Sequence, residues 1–327
     1  MTTRFELLKL LSDGSFHSGT DLGRTLGVSR AAVCKNIRQL TQSGLEVHRI
    51  SGRGYKLEAP LQLLDKRRIL KHLGTQATEV RERLQIVEEV DSTNRFLSEQ
   101  AAEAMTSNGF VCLAETQQAG RGRRGRTWVS TPYRNLMLSM TWSFQSGPGL
   151  VSGLSLAAGL AVLRALEEYG VKGAGLKWPN DLLWEDRKLA GLLADVQGEA
   201  AGPTRVILGV GVNAHISEGD AERIDQPWID LRTITGEAPD RNRLAALLIK
   251  HLSRMFLLFA DKGLAAFREE WERHHLYHGR RVRVLQGEKR FNGKVEGIEE
   301  NGALRLRDEK GKVHIFHSGE ISMRAAG

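Results

Sequence analysis

Apolar residues near the start of the chain recur at three- or four-residue steps, which is the spacing of one helical face. They form two runs, which are Phe5, Leu8 and Leu11, and then Val33, Ile37 and Leu40. Between the runs, Ser18 with Asp21 three residues later resembles a capping box that opens a second helix. Ser29 precedes the later run as an N-cap, and Gly27 and Gly44 are expected helix ends. This pattern predicts three helices within the first 44 residues.

After Gly44 the hydrophobic period changes to that of strands. Val47–Ile50 and Tyr55–Leu57 flank the turn-forming residues Ser51-Gly52-Arg53-Gly54, so a β-hairpin is expected. Three helices followed by a hairpin predict a winged helix-turn-helix domain at residues 1–62. Residues 61–82 are charged and predicted to be helical, and we interpret residues 63–82 as a connector.

The middle of the chain, residues 83–275, alternates between strand and helix patterns. The expected strands are Leu84–Val90, Phe110–Glu115, Leu136–Trp142, Leu189–Val196 and Val206–Val212. The expected helices are Arg95–Ala104, Leu154–Glu168, Leu244–Phe259 and Leu264–His274. Several strands are bounded by hairpin-like turns rather than strict β-α-β crossovers, which favours an α+β domain with a mixed sheet.

The last segment, residues 276–327, has only short strands at regular spacing. The expected strands are Arg281–Leu285, Phe291–Ile298, Ala303–Arg307 and Val313–Phe316. Turn sequences rich in glycine, glutamate and lysine separate them, which predicts a small β-barrel or sandwich.

Composition limits the classes of protein to consider. A chain of 327 residues predicts two or three domains, and 41% hydrophobic with 26% charged residues indicates a folded core. The two cysteines, Cys34 and Cys112, fall in different domains, so we expect no disulfide framework and a reducing cytoplasm. No apolar run is long enough for a transmembrane helix, and the amino terminus has no cleavage-type signal, so no membrane association is expected.

Net charge allows a polyanionic partner. The chain carries +8, and its first 60 residues hold nine lysines and arginines against five acids. On the third predicted helix, Arg30, Cys34 and Arg38 share a face, and Ser29, Ala31 and Lys35 flank them. That helix is expected to enter the major groove of DNA, with Arg53 at the hairpin tip near a phosphate. The alternative is a three-helix bundle whose basic face binds protein.

The segment Gln117-Gln118-Ala119-Gly120-Arg121-Gly122-Arg123-Arg124-Gly125-Arg126 is the most informative in the chain. Four arginines and three glycines lie within seven residues. Glycine lets backbone N–H groups approach a phosphate closely, and the guanidinium fork matches phosphate oxygens. The pattern fits a nucleotide site, and taken alone it equally fits a solvated basic loop or an RNA-binding segment.

Three further motifs accompany this loop. Upstream, Glu89-Val90-Asp91-Ser92-Thr93-Asn94 is a polar run between a strand and a helix, able to cap that helix or to bind the polar ring of a small ligand. Downstream are Lys177-Trp178-Pro179-Asn180-Asp181, Arg187-Lys188-Leu189-Ala190-Gly191 and Gly209-Val210-Gly211-Val212-Asn213. In this order and spacing the set resembles the biotin protein ligase family over nearly the whole chain.

The resemblance implies a fold for each domain. The chain resembles the bifunctional bacterial members of this family, which also repress biotin operons. They combine a winged helix-turn-helix, a central mixed-sheet domain like that of class II aminoacyl-tRNA synthetases, and a small SH3-like β-barrel. Lipoate ligases share the core fold, but the combination of GRGRRGR with KWPND is not expected in them.

The resemblance also implies a role for each motif residue. The expected catalytic residues are Arg121, Arg123, Lys177 and Lys188. The expected contacts with biotin or its adenylate are Ser92, Thr93, Asn94, Gln117, Arg121, Gly122, Arg123, Lys188, Gly191, Gly209 and Gly211. The expected ATP and adenylate residues are Arg124, Arg126, Asn180, Asp181, Asn213 and Trp228, with Mg²⁺ near Asp181 and Asn213. The structural alternatives are that Asp181 bonds backbone, Asn213 caps a turn, Trp228 packs a loop and Trp178-Pro179 is a rigid turn.

The activity that the resemblance implies has two steps. ATP activates biotin as biotinyl-5′-AMP, and a lysine of the biotin carboxyl carrier protein of acetyl-CoA carboxylase then accepts biotin. No enzyme nucleophile is required, which agrees with the absence of a Ser/His/Asp or Cys/His motif. The adenylate is further expected to favour a homodimer that represses biotin biosynthesis at operator DNA. The alternatives are a biotin-sensing regulator without transfer activity and a ligase for another acid such as lipoate.

Overall fold

The amino-terminal domain consists of three helices followed by a two-stranded hairpin. In the computed structural model, the described residues are 2–100, 108–145, 153–198, 203–318 and 321–325. The elements of this domain are α1 Thr3–Leu11, α2 Gly19–Leu26, α3 Arg30–Gln42, β1 Val47–Ile50 and β2 Gly54–Leu57. Ser18 and Ser29 cap α2 and α3 as expected, and Gly27 ends α2 in the left-handed conformation with φ of +67°. Val33, Ile37 and Leu40 of α3 are buried, which confirms the predicted stripe.

The connector is anchored to the central domain by a buried cluster, which we call the connector clamp. It consists of Glu115, Arg241 and Asn242, whose side chains are at most 3% exposed. Arg241 Nη1 lies 2.8 Å from Glu115 Oε2, and Arg241 Nη2 donates to the carbonyl of Gln62 at 2.6 Å. Asn242 Nδ2 donates to the carbonyl of Leu63 at 3.0 Å. The connector therefore does not behave as a free tether. Its helices are α4 Lys66–Leu73 and α5 Ala77–Val80.

The central domain is built on one seven-stranded mixed sheet. Its first elements are β3 Leu84–Val90, α6 Thr93–Gln100, β4 Val111–Gln117, β5 Leu136–Phe144 and α7 Leu154–Tyr169. The following strands are β6 Ala174–Lys177, β7 Asp181–Trp184, β8 Arg187–Gly198 and β9 Thr204–Val212. The strand order is β3-β4-β5-β9-β8-β7-β6, in which β3 and β4 pair in parallel and the remaining neighbours are antiparallel. This arrangement confirms the predicted mixed sheet.

Helices pack on both faces of this sheet, and Leu97 of α6 lies on the face that carries Cys112 and Ile207. The later helices are α8 Glu218–Ala221, α9 Leu231–Thr235, α10 Arg241–Lys262 and α11 Arg268–His274. The long helix α10 packs on α7 and on β5, where Phe256 stacks on Trp142 with ring centroids 5.0 Å apart. No helix in the described part of the chain is long and apolar enough to cross a lipid bilayer.

The carboxyl-terminal domain is a five-stranded antiparallel sheet. Its strands are β10 Arg281–Gln286, β11 Lys289–Ile298, β12 Leu304–Arg307, β13 Val313–Phe316 and β14 Ile321–Ala325. The order β13-β12-β11-β10-β14 places the last strand beside the first, which confirms a small β domain at this end. Trp178 joins the two domains, because its indole Nε1 donates to the carbonyl of Gly302 at 3.0 Å.

The structure differs from the sequence predictions in four places. The hairpin of β6 and β7 and the strand β14 were not expected from the hydrophobic pattern. The helix expected at Leu264–His274 is interrupted, since Gly263–Ala266 is a 3₁₀ turn and only Arg268–His274 is α-helical. The helix expected at Arg95–Ala104 starts two residues earlier, and its last four residues lie outside the described part.

Candidate active site

A cavity of about 460 Å³ opens where the sheet, the arginine-rich loop and the β6–β7 hairpin meet. Such a volume suits a small ligand with part of a nucleotide. All but two of the expected small-molecule site residues line it. The expected residues that line the cavity are Ser92, Thr93, Asn94, Gln117, Arg121, Gly122, Arg123, Arg124, Arg126, Lys177, Asn180, Asp181, Lys188, Gly191, Gly209 and Gly211.

One end of the cavity is a buried group of polar side chains, which we call the polar pocket. It comprises Ser92, Thr93 and Asn94 at the start of α6, Gln117 at the end of β4, and Ser139 in β5. Gln117 Oε1 accepts from the backbone N–H of Thr93 at 2.8 Å. Ser139 Oγ lies 2.7 Å from Thr93 Oγ1 and 2.6 Å from Asn94 Oδ1. These bonds fix the side chains in place, which suits recognition of a polar ring.

The arginine loop, residues 120–126, is closed by backbone bonds at its base. Trp128 N donates to Gly120 O at 2.8 Å, and Gly122 N donates to Arg126 O at 2.7 Å. Arg123 reaches inward, where its Nη1 donates to Asn180 Oδ1 at 3.2 Å. The remaining arginines of the loop, at positions 121, 124 and 126, are exposed.

Burial lowers the pKa of the Arg123 guanidinium below its ordinary value. The carboxylate of Asp181 raises this pKa, and the positive charges of Arg126 and Arg124 lower it again. The dominance of burial indicates that Arg123 is held in a poorly solvated place. An anionic ligand in the cavity would stabilise the charged form of this guanidinium.

The KWPND motif forms the tight turn between β6 and β7. Lys177 pairs with Asp181 across the hairpin, and the Trp178–Pro179 peptide bond is cis. Asn180 Nδ2 donates to the carbonyl of Leu192 at 2.6 Å, which holds the hairpin on β8. Trp178-Pro179 therefore lies in a turn, as the structural alternative expected, and the same turn brings Lys177 and Asp181 to the cavity.

Lys188 and Asp181 form an ion pair in the wall of the cavity. Lys188 Nζ lies 2.8 Å from Asp181 Oδ1, and the two side chains are 15% and 17% exposed. The ammonium also lies 5.5 Å from the ring centroid of Trp128. A cation held at this point would offset the charge of a ligand carboxylate or phosphate.

Glycines leave room for the ring of Trp128 and for Asn94. A Cβ on Gly211 would lie 2.4 Å from Trp128 Cε2, and a Cβ on Gly209 would lie 2.4 Å from Asn94 Oδ1. Both distances are far below van der Waals contact, so these positions need glycine for the cavity to keep its shape.

Family profiles match each of the three domains of the chain. The profile of the Biotin/lipoate A/B protein ligase family matches residues 86–213, that of the Biotin protein ligase C terminal domain matches residues 277–324, and an HTH domain profile matches residues 3–56. Bifunctional ligase/repressor BirA of Escherichia coli is 39% identical over 325 residues, which cover 99% of this chain and 98% of that protein. The chain belongs to the biotin protein ligase family.

Further relatives agree with this assignment. Bifunctional ligase/repressor BirA of Bacillus subtilis is 28% identical over 98% of this chain and 99% of that protein. Among solved structures, biotin protein ligase from Aquifex aeolicus in complex with biotin and ATP is similar with a TM-score of 0.63. That chain is 31% identical, and the match covers 75% of this ligase and the whole of the Aquifex chain.

Two expected nucleotide residues lie outside the cavity lining. Asn213 is buried, and its Nδ2 donates to the carbonyls of Lys188 and Ile229 at 3.1 and 3.2 Å. Its observed contacts therefore tie β9 to neighbouring backbone. Trp228 pairs through its backbone with Lys188, and the lining residues of its loop are instead Arg223, Asp225 and Gln226.

Among the residues on α3 and at its N-cap that are predicted to face DNA, all but Cys34 are exposed. The exposed members are Ser29, Arg30, Ala31, Lys35 and Arg38. Cys34 is half-buried, and its Sγ lies 3.2 Å from the hydroxyl of Tyr55 in β2. It therefore faces the hairpin rather than solvent. Arg53 at the hairpin tip is exposed and stacks over Phe16 with its Cζ 4.3 Å from the ring centroid.

Sequence reasoning missed several residues that shape the cavity, and three of these take part in its contacts. Trp128 lines it directly, Ser139 joins the polar pocket, and Asp195 accepts from Asn94 Nδ2 at 3.0 Å. Asp195 also lies 3.8 Å from Arg121 Nη1, so it connects the polar pocket with the arginine loop. Ser139 carried a recognisable signal, since a hydroxyl inside the apolar strand Leu136–Phe144 requires a partner. Asp195 lies at the polar end of β8, where a carboxylate carries no comparable signal.

Proposed function

We propose that this chain uses ATP to adenylate biotin and transfers the biotinyl group to a lysine of a biotin carboxyl carrier protein. The observation that carries the proposal is the single cavity in which the polar pocket, Arg123 and the Lys188–Asp181 pair come together. It offers hydrogen bonds for a polar ring at one end and cations for a carboxylate and a phosphate at the other. This layout matches the two reactants of an acyl-adenylate reaction.

In the first step the biotin carboxylate attacks the α-phosphate of ATP, and pyrophosphate leaves. Both reactants are anions, so bringing them together requires positive charge at the point where they meet. Lys188 would sit at the carboxylate, and Arg123 and Lys177 at the phosphate. The polar pocket would hold the ureido ring and thereby aim the carboxylate.

In the second step the amine of the acceptor lysine attacks the carbonyl carbon of biotinyl-5′-AMP, and AMP leaves. The mixed anhydride supplies the leaving group, so the chain needs to contribute only position and charge. The exposed arginines of the loop, Arg121, Arg124 and Arg126, would cover the adenylate and limit its hydrolysis.

Mg²⁺ belongs to this proposal as the ion that accompanies ATP phosphates. The described residues include no group of three or more His, Cys, Asp or Glu side chains placed to hold a metal. Mg²⁺ at nucleotide sites commonly takes one or two carboxylates and otherwise phosphate and water oxygens. Asp181 and Asp225, which line the cavity, fit that role, and the ion would offset phosphate charge.

The test is incubation with biotin, ATP, Mg²⁺ and a biotin carboxyl carrier domain, followed by the mass of the acceptor. We expect a mass gain on one lysine that Lys188→Ala and Arg123→Gly abolish. Lys172→Ala, at an exposed position away from the cavity, is the matched control and should label normally. Biotin binding without labelling would indicate a sensor without transfer activity, and no biotin binding would direct the test to lipoate.

We further propose repression of biotin biosynthesis by a homodimer that the adenylate favours. The exposed basic side of α3 and Arg53 would contact operator DNA, with one winged domain on each half-site. The domain boundaries at residues 62, 82 and 275 and the cytoplasmic location remain predictions of the same kind.

Fluorescence anisotropy with promoter DNA of biotin-synthesis genes tests the DNA contact. Arg38→Ala should weaken binding about tenfold, the effect of losing one base contact, whereas Arg67→Ala on α4 should not. Sedimentation with and without biotin and ATP tests the dimer. A dimer affinity that does not respond to the two ligands would contradict the regulatory proposal.

A further inference from the structure

Three basic side chains converge at the base of the loop of residues 216–228, outside the cavity lining. Arg134 Nη1 lies 3.4 Å from His215 Nδ1, and Arg232 Nη1 lies 3.0 Å from His215 Nε2. They come from separate elements, since Arg134 precedes β5, His215 follows β9 and Arg232 lies in α9. We call this group the basic cluster.

The basic cluster has no acidic partner that neutralises it. Within the described ranges, neither Arg134 nor Arg232 has a carboxylate within ion-pair distance. The acids that act electrostatically on the cluster are Asp230, on His215, and Glu46, on Arg134. Both carboxylate oxygens of Asp230 already accept backbone N–H groups, at 2.8 Å each. Two guanidinium charges therefore face one ring, and within the described ranges neither forms an ion pair with a carboxylate.

The protonation of His215 reflects this excess of positive charge. Burial, then Arg134 and Arg232, lower the pKa of His215 to about 4, against the smaller opposing effect of Asp230. Burial and Arg232 also lower the pKa of Arg134. At neutral pH the ring is thus uncharged and has one nitrogen lone pair for two donors. One guanidinium N–H group remains available to another acceptor.

We propose that Arg134, His215 and Arg232 form a binding site for a small oxyanion of the phosphate class. The guanidinium fork matches the oxygens of a tetrahedral anion, and two forks from different directions can hold it at several oxygens. A bound dianion would also favour the protonated ring, which would then donate to it.

The position of the basic cluster suggests what such an anion would affect. His215 precedes the loop that contributes Arg223, Asp225 and Gln226 to the cavity, and Arg232 follows it. An anion held between them would link the two ends of that loop. This inference does not depend on the proposed ligase activity, since binding alone is measured.

The experiment is an NMR titration of the full-length protein labelled with ¹³C at histidine Cε1. The His215 signal is assigned by its loss in His215→Gln, and sodium phosphate is added at constant ionic strength made up with sodium chloride. We expect a saturable shift of this signal, and a rise of the His215 pKa of at least one unit when phosphate is bound.

Variants distinguish this site from phosphate binding in the cavity. Arg134→Gln with Arg232→Gln should weaken the His215 response at least tenfold. Arg124→Gln with Arg126→Gln, which removes two charges from the arginine loop, should leave it unchanged. If the first double variant does not fold, Arg232→Gln alone, at an exposed position, carries the test.

The choice of anion identifies the source. Saturation by both phosphate and sulfate would establish a general oxyanion site, and markedly tighter binding of pyrophosphate would point to the leaving group of the proposed reaction. A response that is absent, that chloride reproduces, or that persists in Arg134→Gln with Arg232→Gln would overturn the proposal.

Discussion

Replacing His275 with phenylalanine is expected to make the folded protein less sensitive to acid. The ring is 4% exposed and lies against Trp271, with ring centroids 4.5 Å apart and ring planes tilted by 32°. Neither ring nitrogen has a hydrogen-bond partner within the described residues. Burial, and secondarily His278, lower the pKa of His275 to about 3.

The size of the effect follows from linkage between protonation and folding. The unfolded chain binds a proton on this histidine near its ordinary pKa of 6.5, whereas the folded chain binds it only near 3. Stability contributed by the neutral ring is therefore complete above pH 6.5 and declines as the pH falls from 6.5 towards 3. Between pH 7.5 and pH 5.0 the loss is about 2 kcal/mol. Phenylalanine removes this loss, because it keeps the packing on Trp271 and has no proton to bind.

Urea unfolding followed by tryptophan fluorescence at both pH values measures the difference. His317→Phe, at an exposed histidine, is the control and should lose as much stability on acidification as the unmodified chain. If His275→Phe also loses the same free energy of unfolding between pH 7.5 and 5.0, His275 is not buried in its neutral form and the reasoning fails.

Three further substitutions test the site and its support. Asp195→Ala removes the carboxylate that joins the polar pocket to the arginine loop, so biotin affinity measured by calorimetry should fall about tenfold, and an unchanged Kd would contradict this role. Gly211→Ala places a methyl group against Trp128 and should cost about 1–3 kcal/mol of biotin binding, with a smaller change in melting temperature. Glu115→Ala leaves Arg241 buried without its partner, which should lower the free energy of unfolding in urea by about 3–5 kcal/mol; a loss below about 1 kcal/mol would show that water or backbone replaces the carboxylate.

Local pattern predicted most elements of the fold because each carries its own amphipathic signal. The stripe of α3 was located correctly because its buried residues recur with the period of the helix. The strand Leu84–Val90 was also predicted with the bounds that the structure gives. The hairpin of β6 and β7 was missed because its strands have four residues each and meet at Trp178–Pro179. Strand β14 is similarly short, and it pairs with β10, whose residues lie some forty positions earlier in the chain.

The candidate site was predictable where its residues stand together in motifs. The arginine loop and the Ser92–Asn94 run each place several lining residues in one short segment, so recognising the motif located them all. Trp128 depended instead on tertiary structure, because its place against Gly211 requires β9 to run beside β5. Dependence on tertiary structure also explains why the prediction for Asn213 differed. Its motif lies along the cavity wall, but its side chain donates to backbone carbonyls instead of lining the cavity.

The connector clamp determines where this protein can be cut and rejoined. The backbone carbonyls of Gln62 and Leu63 accept hydrogen bonds from the side chains of Arg241 and Asn242, which lie 179 positions further along the chain. A chimera that replaces the amino-terminal domain up to residue 60 would keep these hydrogen bonds with their native partners. A junction placed at residue 66 would exchange residues 61–65, and Arg241 and Asn242 would keep their acceptors only if the replacement backbone followed the same path. A shift of six residues in the splice point thus decides whether the native path of this segment is retained.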